Sequence, residues 1–445
     1  MTTDTYVHES EMPASAAEAF FWHERPGAFE RLNPPWDPVK VLQRDPSLAV
    51  GAKTVIQLNI AGVPVKWTAE HTAYEAGVMF RDEQTGGPFS KWVHTHRFVP
   101  VDEQRCRLVD EIEFAPPLGA LGQVFAGGPI RAQLAQMFGY RHALLRADLE
   151  RHRRFASAPR QTIAVTGASG LLGTALSAFL TTGGHTVRAV KRGDFSAIDG
   201  ADAIVHLAGA PIGVRWTDRV RRAMVESRVD YTRALVAAIG AATARPRVLL
   251  GGSAIGIYGD RGDEELDESS ALGARGERGA AMLAGLCADW EAESLRAKEL
   301  GLRVALLRTG VVLTPNGGAL SQLLGPFSAG IGGRAGSGRQ WMSWIGLEDT
   351  IGAIHHALMT DIDGPVNLTA ESPVTNRDFA RTLGHVLRRP SFMPAPTFAL
   401  EAMFGEMAEA TLLASQRVLP RALQSARFEP LHPQLEDALR FCLGR

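Results

Sequence analysis

Two textures follow one another along this chain. Up to about residue 150, short segments alternate apolar and polar positions, the mark of strands whose two faces meet different surroundings. The pattern predicts strands at Tyr6–Glu11, Val39–Gln43, Lys53–Ile60, Pro64–Tyr74, Val78–Gln84, Lys91–Pro100 and Cys106–Phe114. A helix is expected over Ala14–Glu24, with Ser15 near its start. A long helix is expected over about Ile130–His152, where Leu134, Met137, Phe138, Ala143, Leu144 and Ala147 recur at helical spacing. The glycine-rich run ending in Pro129 is expected to break the chain just before it.

From residue 161 the apolar residues come in strand-length blocks separated by helical stretches. That is the rhythm of an α/β fold with a parallel, doubly wound sheet. Expected strands include Gln161–Thr166, Thr186–Val190, Ala203–Gly209, Arg247–Gly251 and Arg303–Leu307, and Pro394–Leu431 reads as helices. The basic, small-residue stretch Arg151–Arg160 reads as a linker. The expected division is 1–152 for an α+β helix-grip domain, 153–160 for the linker, 161–370 for a nucleotide-binding domain and 371–445 for a C-terminal cap.

Composition narrows the class. With 45% apolar and 21% charged residues over 445 positions, the chain can bury a core in each of several domains. A net charge of −1 offers no basic excess for a nucleic-acid partner. No apolar stretch approaches the roughly 20 residues of a membrane span, and the N-terminus lacks a signal-peptide pattern. A cytoplasmic location is expected. Cys106, Cys287 and Cys442 lie far apart and suggest neither a disulfide framework nor a zinc cluster.

The run Gly87-Pro88-Phe89-x-x-Trp92-x-His94-x-His96-x-Phe98, followed by Asp110-Glu111-Ile112-x-Phe114, resembles the START-like, polyketide-cyclase-like (SRPBCC) ligand-binding domain. The resemblance implies an apolar cavity and an apolar ligand. His94 and His96 project from one face of their strand and together suggest a metal, but no third ligand stands at a suitable spacing. They therefore read as hydrogen-bonded pocket or surface residues, with no metal expected.

The chemical signal is strongest at Thr166-Gly167-Ala168-Ser169-Gly170-Leu171-Leu172-Gly173, between an apolar strand and an apolar helix. In a dinucleotide-binding βαβ unit the first glycine permits the tight turn, the second lets the backbone approach a pyrophosphate, and the third lets helix and strand pack closely. An acidic residue closing the next strand would hold the 2′-hydroxyl of NAD; here stand Lys191 and Arg192, suited to the 2′-phosphate of NADP(H). Asp194 is the counter-argument, one small register step away.

Segments further on, in order, resemble the epimerase-family subgroup of the extended short-chain dehydrogenase/reductase superfamily. They are Ser253-Ala-Ile-Gly-Ile-Tyr258-Gly, Cys287-Ala-Asp-Trp290-Glu291, Arg308-Thr-Gly-Val311, Gly317-Gly-Ala-Leu and Trp341-Met-Ser-Trp-Ile. Gly405-Glu-Met-Ala-Glu-Ala and Ala414-Ser-Gln-Arg-Val-Leu-Pro resemble its C-terminal domain of unknown function. The resemblance implies cofactor contacts at the glycine turn, Lys191, Arg192, Leu207, Ala208, Arg228 and Val311.

It also exposes a departure. Hydride-transferring members use a Tyr-x-x-x-Lys pair, the tyrosine moving a proton and the lysine lowering its pKa. Here Leu283 and Cys287 occupy those positions, and neither does that chemistry. Ser253 and Tyr258 remain as candidate proton partners. Arg339 and Trp341, in a glycine-rich loop, could hold an anionic group and a ring of a substrate, or belong to a lid. Two readings stay open. One is an atypical NADP(H)-dependent oxidoreductase or epimerase-like enzyme acting on an apolar or aromatic small molecule. The other is a non-catalytic NADP(H) sensor with a fused domain for hydrophobic ligands. The oligomeric state is not legible.

Overall fold

The computed structural model describes residues 3–60, 62–117 and 119–445, with the backbone alone over 119–126. The chain divides into two compact units, residues 1–157 forming one and most of 158–445 the other.

Among the described residues of the first unit, seven antiparallel strands lie in the spatial order β1-β7-β6-β5-β4-β3-β2. They are β1 (Asp4–Met12), β2 (Lys40–Arg44), β3 (Lys53–Ile60), β4 (Val63–Glu75), β5 (Met79–Gly86), β6 (Lys91–Pro100) and β7 (Cys106–Ala115). Alternation sets which face turns in: along β7, Cys106, Leu108, Asp110, Ile112 and Phe114 are all buried. Helix α1 (Ala16–Glu24) starts where Ser15 Oγ accepts the Glu18 N–H at 3.2 Å, and it buries Phe20 and Trp22 against Phe80, Phe98 and Leu108. Large side chains so buried each contribute roughly 1.5–3 kcal/mol.

Helix α3 (Gly119–Arg154) departs from expectation at its start, running through the glycine-rich segment and holding Pro129 inside it. Proline within a helix removes one N–H donor and strains the preceding turn, but packing further along can outweigh that. Leu134, Phe138, His142, Leu145 and Leu149 form the buried stripe of α3. Its end at Arg154 takes in the first two residues of the expected linker. A short helix that the pattern did not announce, α2 (Ala28–Leu32), is tied to α3 by a buried bidentate pair, Arg31 to Asp148, at 2.8 and 2.7 Å.

The second unit is a six-stranded, all-parallel sheet. Its order is Gly364–Leu368, Arg303–Thr309, β11 (Val248–Ala254), β10 (Ala203–His206), β8 (Thr162–Thr166) and β9 (Thr186–Val190). Because the chain leaves β8 for β9 on one side and then crosses to β10 on the other, a topological switch point opens at the C-terminal ends of β8 and β10, where such sheets bind ligands. Helices α4 (Leu171–Thr182), α5 (Asp218–Val225), α6 (Tyr231–Ala241) and α7 (Gly279–Leu295) connect and cover the strands. Among the described residues no helix is long and apolar enough to cross a membrane.

The C-terminal stretch expected to be helical holds helices at Thr397–Phe404 and Arg421–Ser425, but also a short strand, Arg417–Val418, parallel to Glu265–Leu266. Only two residues long, that strand carries no periodicity a sequence could reveal.

Candidate functional site

The glycine turn links β8 to α4 as its sequence requires. Gly167 has φ +68°, and a Cβ there would stand 2.9 Å from the backbone of Leu207 and Ala208. A Cβ on Gly173 would lie 2.1 Å from the Gly167 carbonyl oxygen. Turn and helix are therefore closed on each other, and Ser169, Gly170 and Leu171 are left exposed at the start of α4. Such a helix start, with a backbone that no side chain obstructs, fits a pyrophosphate. Helix α4 begins at Leu171, three residues before Thr174, where the apolar pattern predicts its start.

At the end of β9, Lys191 and Arg192 are both exposed. Asp194 turns back: its N–H donates to the Lys191 carbonyl at 3.1 Å, and its carboxylate accepts the Ser196 N–H at 2.9 Å. The hydrogen bonds to Ser196 lower its pKa. Asp194 thus caps its own turn, while Lys191 and Arg192 stand exposed.

Beneath the switch point, His206 lies fully buried between Thr166 Oγ1 at 2.6 Å and Thr232 Oγ1 at 2.8 Å. Thr166 Oγ1 also accepts the N–H groups of Leu207 and Ala208, fixing the two residues expected along the nucleotide. Arg228 sits in a single π-helical turn, Glu226–Asp230, between α5 and α6. Its guanidinium donates to the Ala210 carbonyl at 2.9 Å and lies over the Trp290 ring at 5.2 Å. Val311 is half-buried, its N–H on the Ser343 carbonyl.

The candidate proton partners are joined by residues that sequence reasoning missed. Ser253, in β11, donates to Glu291 Oε1 of α7 at 2.6 Å. Arg308 grips both oxygens of Glu291, at 2.8 and 2.9 Å, and donates to the Tyr258 hydroxyl at 2.9 Å. Tyr258 in turn donates to Asn367 Oδ1 at 2.8 Å. Ser253, Glu291 and Arg308 are about 5% exposed and Tyr258 not at all. Burial pulls the Arg308 pKa down, but its bonds to Glu291 outweigh that and leave it raised. Burial pushes the Tyr258 phenol up. Tyr258, expected to donate into the cleft, instead has its hydroxyl bonded on both sides. The available signal was a lone charge closing an apolar strand (Val-Ala-Leu-Leu-Arg308), since a buried charge needs a partner.

Leu283 and Cys287 lie 5% and 2% exposed in an apolar cluster with Ile257, Leu286, Met407 and Val418. Burial pushes the Cys287 thiol up to about 12, so it is no nucleophile. Trp341 donates to Asp263 at 2.9 Å beneath the Arg417 guanidinium, whereas the Arg339 side chain is exposed. The loop around them is strapped by main-chain bonds from Gly336 to Ala395 and from Ala395 to Arg334.

The interior of the first unit is more polar than an apolar cavity. Antiparallel register sets Asp82 opposite His94, and Asp110 opposite both His96 and His8. Asp110 is buried among three imidazoles: His94 Nε2 at 2.9 Å, His142 Nε2 at 2.6 Å, and His96 Nδ1 at 2.5 Å, the last bent from hydrogen-bond alignment. Burial would raise the Asp110 carboxyl, but the imidazoles hold it well below its usual value. Burial raises Asp82 and lowers His96 to about 3. A third potential donor, absent from the local spacing, stands in space on the neighbouring strand: one N or O atom from each of Asp82, His94 and His96 lies within 4.8 Å of the others.

Known proteins match both units. Residues 163–368 match the NAD dependent epimerase/dehydratase family, 12–138 the polyketide cyclase / dehydrase and lipid transport family, and 395–442 a domain of unknown function, DUF1731. Epimerase family protein Mb2239 of Mycobacterium bovis is 40% identical over 302 residues, 64% of this chain and 98% of that protein. A nucleoside-diphosphate sugar epimerase from Corynebacterium glutamicum, known as a crystal structure, is 32% identical with a TM-score of 0.79, covering 99% of this chain and 90% of its own. Human epimerase family protein SDR39U1, crystallised with NADPH, is 32% identical with a TM-score of 0.58, over 63% of this chain and 99% of its own.

Proposed function

Because this chain belongs to the epimerase family, we propose that it is an atypical NADP(H)-dependent oxidoreductase or epimerase-like enzyme that works on a small apolar or aromatic molecule without a Tyr-x-x-x-Lys pair. The observation that carries the reading is the Ser253–Glu291–Arg308 row, in which Ser253 and Arg308 lie near the C-terminal ends of two parallel strands, the ligand side of such a sheet, and Glu291 joins them from α7. The NADPH bound by the human relative supports the choice of nucleotide.

The turn from Gly167 to Gly173, with Ala168, Ser169, Leu171 and Leu172, would cradle the pyrophosphate, and Lys191 and Arg192 would meet the 2′-phosphate. Leu207, Ala208, Arg228 and Val311 would line the remainder. NADP(H) bound there supplies or takes up a hydride at its nicotinamide. Ser253 directs its hydroxyl proton at Glu291, so its lone pairs are turned to accept a proton from a substrate hydroxyl, and Glu291 Oε1 receives the proton Ser253 gives up. Arg308 fixes Glu291, and Tyr258 fixes Arg308, which makes Tyr258 a positioning residue. Arg339 offers an exposed guanidinium to an anionic group of the substrate.

One observation favours the second reading, a sensor that binds NADP(H) without turnover: the positions of the usual proton pair hold Leu283 and Cys287, both buried in apolar packing. The test begins with NADPH and NADH binding to the wild type and to Lys191→Ala/Arg192→Ala. A preference for NADPH that the double variant loses upholds the nucleotide assignment, and failure of either nucleotide to bind at millimolar concentration overturns it. Carbonyl and alcohol substrates are then screened with NADPH and NADP⁺. Turnover that Ser253→Ala reduces at least tenfold, with nucleotide affinity intact, supports the enzyme. Tight NADPH binding with no turnover across the panel supports the sensor.

A further inference from the structure

The histidines of the first unit stand in an order that hydrogen bonding among themselves does not require. His94 and His96 are two residues apart on β6 and share one face, with ring centroids 3.8 Å apart. Each turns one nitrogen to the same atom, Asp110 Oδ1: His94 Nε2 at 2.9 Å and His96 Nδ1 at 2.5 Å. Each turns its other nitrogen to a second shared atom, Asp82 Oδ1: His94 Nδ1 at 3.6 Å and His96 Nε2 at 3.9 Å.

The two sides differ in kind. The Asp110 side is at contact distance. The Asp82 side is too long for hydrogen bonds. It approaches the separation of about 3.3 Å between neighbouring ligands of a tetrahedral ion with bonds of about 2.0–2.1 Å. Metal-ligating histidines characteristically give their second nitrogen to a carboxylate, which fixes the ring and its tautomer. Asp110 does this for both rings at once, and His142, reaching over from α3, holds its other oxygen at 2.6 Å.

We propose that Asp82, His94 and His96 bind a divalent transition-metal ion, Zn²⁺ in the first instance, with Asp110 as the shared outer carboxylate that orients both imidazoles. Two imidazoles and one carboxylate are a donor set for zinc-like ions and poor for Mg²⁺ or Ca²⁺, which take oxygen. Three protein ligands leave a fourth position for water or for an oxygen atom of a ligand held in this domain. Register explains the pre-arrangement. Asp82 is paired across from His94, and Asp110 across from His96, so the antiparallel sheet brings together the three donors from β5 and β6 and the outer carboxylate from β7. The proposal is independent of the nucleotide site.

The test uses the full chain free of any polyhistidine tag, stripped with a chelator and titrated with Co²⁺ and then Zn²⁺. One equivalent of Co²⁺ should give the intense visible absorption of a four-coordinate ion, and Zn²⁺ should displace it. His94→Gln and His96→Gln should each weaken binding at least tenfold. Asp82→Asn, nearly isosteric and on a partly exposed residue, should do the same while its circular dichroism matches the wild type. Asp110→Asn should weaken binding about 10–100-fold, as loss of an outer-shell partner does. Absence of Zn²⁺ binding at micromolar concentration, or unchanged affinity in a folded Asp82→Asn variant, overturns the proposal.

Discussion

Leu283 closes directly on Gly256: a β-carbon built on Gly256 would stand 2.7 Å from Leu283 Cδ2. Leu283 is thus packed into a surface shaped to receive it. With Cys287 one turn further along α7, it belongs to the apolar cluster around Tyr258. Introducing a Tyr-x-x-x-Lys pair by Leu283→Tyr/Cys287→Lys should therefore destabilise the protein by several kcal/mol, because the lysine would be buried near the Arg228 guanidinium while the nearby Glu291 carboxylate is already held by Arg308. Chemical denaturation measures this. A variant as stable as the wild type, with new turnover, would show that the site had merely lost two side chains.

The buried ion pair should behave asymmetrically. Glu291→Gln leaves the Arg308 guanidinium buried and short of a counter-charge, and should cost about 3–5 kcal/mol. The double change Glu291→Gln/Arg308→Met should recover part of that loss. Urea midpoints of the two variants decide it, and a double variant less stable than the single would contradict the account.

Gly173→Ala should disturb the nucleotide turn more than its one methyl suggests. The nearest atoms to the new carbon are backbone, the Gly167 oxygen at 2.1 Å and the Ala168 Cα at 2.7 Å, so the turn itself must move. An overpacking cost of about 1–3 kcal/mol is expected. NADPH affinity should fall at least tenfold in a fluorescence titration, and unaltered affinity would remove the turn from the binding site.

Burial lowers His206 from the ordinary 6.5 to about 4. Its folded pKa is depressed, so between those values the unfolded chain binds more protons than the folded one. Its contribution to stability is complete above pH 6.5 and falls as pH drops toward about 4, by about 1.4 kcal/mol per unit. His206→Gln, which can still bond Thr166 and Thr232, should flatten that part of the profile. Identical slopes for variant and wild type between pH 6 and 4.5 would assign the effect to other buried groups.

The elements of this protein were largely legible in its sequence where periodicity is strict. β3 and β6 end where alternation ends, and the turn between β8 and α4 was legible from three glycines set between an apolar strand and an apolar helix. What sequence could not reveal was assembly across elements. Glu291 and Arg308 come from a helix and a strand 17 positions apart, and nothing local says that they meet. Asp82 became a partner of His94 only through strand register, which turns and burial fix together. Helix α3 ran past Pro129 because a single missing N–H does not stop a helix held by a long buried stripe.

The short parallel pairing of Glu265–Leu266 with Arg417–Val418 bears on how this protein folds. Met407, Ala410 and Val418, all beyond the expected cap boundary, complete the cluster that holds Tyr258 and Leu283. Ser415 and Gln416 bond the loop at Gly259–Gly262, and Leu419 accepts from Asn367 Nδ2. The last 75 residues are thus interlocked with the sheet they follow, and their removal would strip one wall from the hydrophobic interior at its chemical end. On heating, sheet and tail should unfold together in a single cooperative transition, and a ribosome that has not yet released the tail should carry a nucleotide-binding half that is still open.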